Sequence, residues 1–314
     1  MKRLLLLGAG FSCNWGGWNA SEVNDYLPTL PTLRADRHVL QVLRRTANKG
    51  GFEGALAEIQ DDYEKSPTPE NKAHLDTLQS AVTTMFLDME AGFASRADWN
   101  FRHTVEYKIA HFLSGFDGIF TLNQDLLLER HYHDLDLALN QPKKWFGWRR
   151  PGIQVLPDPR QTTNDVEKTT WTPRSSPFTL EPSYQPYFKL HGSWNWRSAR
   201  NEQMLIMGGN KIAAIRKHPL LIWYYDLFEA YLSGPDSRLM VIGYGFRDPH
   251  INRVIVRAAG KNPSMLLFLV DPRGRSILPK QITAIDDAGT SRPLLKDTFT
   301  GNEAERRKLM TFFG

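Results

Sequence analysis

Along this chain, short apolar runs stop abruptly at small or polar residues. Arg3-Leu4-Leu5-Leu6-Leu7 gives way to Gly8-Ala9-Gly10-Phe11-Ser12, and Asp117-Gly118-Ile119-Phe120-Thr121-Leu122 to Asn123-Gln124-Asp125. Pro186–Leu190 ends at His191-Gly192-Ser193, Arg238–Ile242 at Gly243-Tyr244-Gly245-Phe246, and Met265–Val270 at Asp271-Pro272. Apolar runs of this kind, bounded by turn formers, predict strands buried on both faces, the habit of a parallel sheet. Leu205-Ile206-Met207 is a candidate for one more short strand.

Helical spacing fills the intervals. Helices are predicted over His38–Ala47, Phe52–Glu64, Lys72–Glu90, Asn100–Leu113, Leu126–Glu129 and Pro219–Leu232. In the third, Leu75, Leu78, Val82, Met85, Phe86 and Met89 form one apolar stripe. In Pro219–Leu232 the expected inward side is Leu220, Trp223, Leu227 and Tyr231. Asp248-Pro249 reads as a helix start, followed by inward Ile251, Val254, Ile255 and Ala258. Cys13 to Pro31, rich in Gly, Trp, Asn and Pro, has no clear period and reads as an irregular lid. The alternation predicts an α/β fold of five main strands: a Rossmann-like, doubly wound parallel sheet in a single domain over 1–314. A helical insert or subdomain occupies about 33–110, and an irregular aromatic and basic insert about 140–186.

Composition narrows the class. The chain has 314 residues, 41% hydrophobic and 23% charged, enough for a large core. No apolar run approaches the roughly 20 residues that span a bilayer, so a soluble, cytoplasmic protein with no membrane partner is expected. Gly8 interrupts the leucines after Lys2-Arg3, which favours a strand over an export signal. Cys13 is the only cysteine, which excludes an internal disulfide and any zinc site needing two cysteines of this chain. A net charge of +5 suits an anionic ligand but is modest for this length. Lys143-Lys144-Trp145-Phe146-Gly147-Trp148-Arg149-Arg150 could stack against a nucleic acid strand. A hairpin or loop packed by its own aromatics is the preferred reading, and no direct nucleic-acid partner is expected.

In a doubly wound sheet the chemistry collects at the carboxyl ends of the strands. Gly8 and Gly10, without Cβ atoms, would let backbone N–H groups approach a pyrophosphate, although Cys13 stands where the dinucleotide fingerprint has its third glycine. Asn123 and Asp125 could serve a ligand or cap the next helix. Asp271 could accept hydrogen bonds from ribose hydroxyls or simply form an Asp-Pro turn.

In their order and neighbours these motifs resemble the sirtuin superfamily. Gly8-Ala9-Gly10-Phe11-Ser12, followed by Gly16, looks like its phosphate loop, and Thr121-Leu122-Asn123-Gln124-Asp125 like its Thr-x-Asn-x-Asp motif. Lys189-Leu190-His191-Gly192-Ser193 carries the His-Gly pair, and Gly243-Tyr244-Gly245-Phe246 occupies the place of the later nucleotide loop. The four-cysteine zinc module of the deacylating members is missing, since His191 to Gly243 contains no cysteine. Gly16-Gly17-Trp18 replaces the usual Gly-Ile-Pro segment. The combination is similar to zinc-free bacterial NADases of anti-phage defence.

That resemblance implies NAD as substrate, with neither zinc nor another metal, and hydrolysis to nicotinamide and ADP-ribose. Asn123 would orient ribose and water, Asp125 would hold the nicotinamide-ribose side or stabilise the developing positive charge, and His191, given a pKa near neutrality, would take a proton from water or a ribose hydroxyl. Gly8, Ala9, Gly10, Ser12 and Thr121, with Gly243 and Gly245, would hold the nucleotide, and Asp271 the adenosine ribose. It also implies control by homo-oligomerisation or by a motor ATPase or Argonaute-like partner. Two alternatives stay open: an NAD-dependent ADP-ribosyltransferase or deacylase, and a non-catalytic sensor or scaffold that binds NAD or ADP-ribose.

Overall fold

A computed structural model of the chain describes residues 1–95, 109–133, 137, 144–156, 169–175 and 177–314. It begins with β1 (Arg3–Leu7), α1 (Ala9–Cys13), α2 (Ala20–Tyr26), α3 (Pro31–Ala35), α4 (Arg37–Thr46), α5 (Gly51–Lys65) and α6 (Pro69–Ser95). Next come α7 (Ile109–Ser114), β2 (Gly118–Thr121), α8 (Leu127–His131), β3 (Trp148–Arg149), β4 (Ile153–Val155), β5 (Trp171–Pro173) and β6 (Gln185–Lys189). Then follow β7 (Gly192–Arg197), β8 (Gln203–Leu205), α9 (Lys211–Arg216), α10 (Pro219–Ser233), β9 (Arg238–Ile242) and α11 (Pro249–Lys261). β10 (Leu266–Val270), β11 (Asp286–Ser291), α12 (Leu295–Thr300) and α13 (Glu303–Met310) complete the chain.

The central sheet has seven parallel strands in the order β11-β10-β9-β1-β2-β6-β3. Successive leucines of β1 point to opposite faces, as the pleat demands. Leu5 and Leu7 join the core under the helical insert, and Leu4 and Leu6 join the core under α10 and α11. The predicted α6 stripe, from Leu75 to Met89, is buried in the first of these cores. Register then places the strand tips. Leu7 pairs with Thr121 on one side and Ile242 on the other, and Thr121 pairs with Lys189. Asn123 and His191 therefore each stand two residues beyond a paired position on adjacent strands.

The two glycine loops dock on each other. Gly8 N–H donates to the Ile242 carbonyl and Gly10 N–H to the Gly243 carbonyl, both at 3.0 Å. Gly243 has φ +63°, and a Cβ there would lie 2.4 Å from Gly10 C and Phe11 N. These two amides close the sheet edge and are therefore not themselves available to a pyrophosphate.

Other expectations also change. The sheet has seven strands rather than five, because Trp148–Arg149 and the polar Asp286–Ser291 add its two edges. A second sheet, in the order β4-β5-β7-β8, draws its first two strands from the segment expected to be irregular and the other two from the residues after His191. The segment from Cys13 to Pro31 contains α2, held at its start by an Asn19/Glu22 capping box, a local signal that outweighs the missing period. Helix α10 buries Leu221, Tyr224, Phe228 and Leu232 along with Leu220, leaving Trp223, Leu227 and Tyr231 on its flank. The predicted Leu205–Met207 strand is observed at Gln203–Leu205. The expected helix over Asn100–Leu113 is described only from Ile109, and its earlier residues lie outside the described ones. Trp145 donates to the Ser114 carbonyl and Trp148 and Arg149 form an edge strand, so the basic aromatic segment is packed by its aromatics; Lys143 lies outside the described residues. Among the described residues no helix is long and apolar enough to cross a membrane.

Gly243→Ala would force a strained φ and a backbone clash at this docking point. It is expected to lower unfolding free energy by at least about 2 kcal/mol, read from urea denaturation against the parent.

Candidate active site

The tips of β1, β2, β6 and β9 open onto one cavity of about 940 Å³. Gly8, Ala9, Asn123, Asp125 and His191 line it, together with Gly243 and Gly245. Helix α2, through Asn24, and the insert helices α5 and α6, through Glu53 and Met89, complete its lining. A second cavity of about 770 Å³, bordered by Trp148, Arg150 and Trp171, contains none of the candidate residues.

A short hydrogen-bond chain fixes the β2 tip. Ser12 Oγ donates to Asp125 Oδ2 at 2.7 Å, and Asn123 Nδ2 donates to Ser12 Oγ at 2.9 Å. A hydroxyl has one proton, and here it goes to the carboxylate; the group approaching the hydroxyl from Asn123 must therefore be the NH₂. Asn123 Oδ1 is left to accept from a ligand or water. Asp125 Oδ1 accepts from Leu127 N–H, so the carboxylate also supports the start of α8. Thr121, nearly fully buried, receives the Asn123 N–H on its Oγ1.

Beneath lies a cluster of buried charges. Lys189 Nζ donates to the Asp125 carbonyl at 2.5 Å and pairs with Glu129 at 3.0 Å. Burial pushes the Asp125 carboxyl up, against the Lys189 ammonium and the Ser12 hydrogen bond. Glu90, brought in by α6, accepts from Leu126 N–H at 2.6 Å. Burial and the neighbouring Asp125 raise its pKa to about 8.

At the β6 tip, His191 Nε2 and His250 Nε2 are 2.9 Å apart. Asp248 lies beside them, and the ligand atoms of all three residues fall within 4.8 Å of one another. Asp248 begins α11, as expected, yet its carboxylate makes no cap; it binds Lys211 Nζ at 2.8 Å instead. Lys211 is also held at 2.8 Å by Glu53 of the insert. Burial first, then the Lys211 ammonium and His250, lowers the His191 pKa to about 3. His250 falls to about 4, mainly through burial, with Asp248 opposing. The near-neutral titration expected of His191 is thus corrected: a fully enclosed imidazole beside a cation resists protonation.

The sequence matches the SIR2-like domain family over residues 117–287, more than half of the chain. The chain belongs to the SIR2-like family. A search of curated proteins found no match. The SIR2-like match covers the β2, β6 and β9 tips and so contains Asn123, Asp125, His191 and the Gly243 loop. NAD-related activity fits that membership.

The SIR2-like site gathers most, not all, of the predicted residues on its walls. Gly10, Ser12 and Thr121 lie behind the wall rather than on it, acting through the loop contact and the Asn123 hydrogen bonds. Asp271, at the β10 tip, is outside the described lining; its carboxylate is gripped by Arg273 at 3.1 and 3.3 Å. Sequence reasoning missed His250, Lys211, Glu53 and Glu90. The Asp248-Pro249-His250 triplet carried a signal, but it was read only as a helix start.

The low His191 pKa sets a pH dependence of stability. Below about pH 6.5 the unfolded chain takes a proton that the folded chain refuses, so the contribution is intact above that pH and erodes on acidification. His191→Gln is expected to remove about 1.4 kcal/mol per pH unit from the slope between about pH 6.5 and pH 4, measured by urea titrations. The comparison with the parent cancels the opposite slope from Glu90.

Proposed function

We propose that this SIR2-like chain is an NAD glycohydrolase that splits NAD into nicotinamide and ADP-ribose. The observation that carries the reading is convergence: Asn123, Asp125 and His191 line one cavity with both glycine loops. Its volume of about 940 Å³ is near the upper end of ligand pockets.

The chemistry follows from these groups. Breaking the bond between nicotinamide and C1′ sends its electron pair to the pyridinium nitrogen and leaves an oxocarbenium-like ribose. Asn123 Oδ1 accepts from a ribose hydroxyl or the attacking water, while the Asp125 carboxylate faces the developing positive charge. Water adds at C1′ and gives up a proton to His191, whose neutral ring has a nitrogen lone pair to receive it. The pyrophosphate needs cationic or amide partners. Gly8 and Gly10 N–H are engaged, and Lys211 is paired twice; the remaining cations on the described wall are Arg247 and Arg253, both exposed. Consumption of a shared cofactor has to be restrained, and the proposal includes control by self-assembly or by a partner, with a defence role.

Purified protein, alone and with companions encoded beside it, should release nicotinamide and ADP-ribose in equal amounts. Asn123→Ala and His191→Ala should each lower kcat by at least about 10²-fold. Labelled macromolecule appearing faster than free ADP-ribose would favour transfer, and saturable binding without product would favour a sensor. Arg247→Ala and Arg253→Ala should raise KM about tenfold each, with kcat nearly unchanged, as expected for lost charge-assisted hydrogen bonds.

A further inference from the structure

The imidazole pair in the cavity has a feature that the hydrolytic reading does not use. His191 and His250 face each other through their Nε2 atoms at 2.9 Å. Two neutral imidazoles at that distance need one Nε2–H and one lone pair, so a single proton lies between them. The rings differ in their surroundings: His191 is buried, whereas His250, one residue into α11, is half-buried on the cavity wall.

A metal ion is the competing explanation of a His-Asp-His cluster. Two nitrogens bound to one tetrahedral zinc at 2.0–2.1 Å would sit about 3.3 Å apart, farther than these two. The Lys211 ammonium, already bound to Asp248, would also repel a cation. The geometry favours a shared proton.

We propose that His250 is the proton partner of His191, receiving on its Nε2 the proton that His191 Nε2 releases when His191 Nδ1 takes one from the attacking water. This rests on the glycohydrolase reading. The step balances: the water O–H breaks as an Nδ1–H forms on His191, and the His191 Nε2–H breaks as an Nε2–H forms on His250. His191 ends neutral in its other tautomer, and the positive charge arrives on His250 beside the Asp248 carboxylate. The relay moves the charge from the buried ring to the half-buried one on the cavity wall. The groups facing the pair are Lys211 from α9, with Glu53 of α5 behind it, Asp248 and Arg253 of the α11 turn and helix, and Tyr225 of α10, whose ring lies 5.9 Å from His250. His250 is in this sense a positioning and proton-carrying residue.

The test compares the parent with His250→Gln and His250→Asn, after thermal melts have established that at least one variant folds. In the parent, ¹⁵N NMR of labelled histidines should find one Nε2–H and one Nδ1–H tautomer in the pair, a readout independent of turnover. In the folded variant kcat should fall about 10²-fold with KM changed less than about threefold, and added imidazole should restore part of kcat. Unchanged kcat, a loss confined to KM, no rescue by imidazole, or two identical tautomers would each overturn the relay. So would loss of parent activity on chelation with recovery on adding zinc, which would make the cluster a metal site. A parent with the expected tautomers but no NAD cleavage would instead overturn the glycohydrolase reading.

Discussion

The site depends on parallel strands that finish level with one another. In the ladder β9-β1-β2-β6, each register is set by backbone hydrogen bonds between runs buried on both faces. A slip of one residue would turn every inward leucine toward the wrong core, so the ladder resists it. The docked loops add a second lock, because Gly243 touches the Gly10 backbone where no side chain fits. With the ladder and loops fixed, Asn123, His191 and Gly243 come to line one cavity.

The level edge creates an electrostatic problem that the surrounding helices solve. Asp125, Lys189, Glu129, Glu90 and His191 all lie within the buried set. An isolated charge in such surroundings is costly, and burial drives each group toward its neutral form unless an opposite charge intervenes. Lys189 answers Asp125 and Glu129 from below, and Lys211 answers Asp248 and Glu53 from the side. Glu53 belongs to α5, so the helical insert does more than cover the pocket. It supplies half of the counter-charge that holds Lys211 beside the histidines.

The parts legible in the sequence were those with a strong local cause. Leu4 to Leu7, Leu239 to Ile242 and Leu267 to Val270 are apolar because both faces are buried, and they read as strands without help. The edge strand Asp286–Ser291 has no such pattern, since one side of an edge lacks a neighbour and its residues are half exposed. Asn123 and His191 directly follow buried runs and Asp125 stands two residues on, but it was the order of these motifs along the chain, resembling the sirtuin pattern, that singled them out. His250 was not singled out, because Asp248-Pro249 already accounted for its surroundings as a helix start. Only the pairing of β6 with β2, and the turn of α11 back over their tips, brings its ring to His191.

The same geometry changes what the glycines mean. A Gly-x-Gly turn after a first strand suggests amides aimed at phosphate, yet Gly8 and Gly10 direct theirs at the β9 tip. Lack of a Cβ is needed at both loops for close approach, so an identical sequence signal arises whether the neighbour is a ligand or another strand of the same sheet. The distinction can be made only where each N–H is traced to its acceptor. Once that is done, these two amides drop out as anion donors, and on the proposed reading the cations left on the cavity wall, Arg247 and Arg253, take the phosphates while the strand tips face the glycosidic bond.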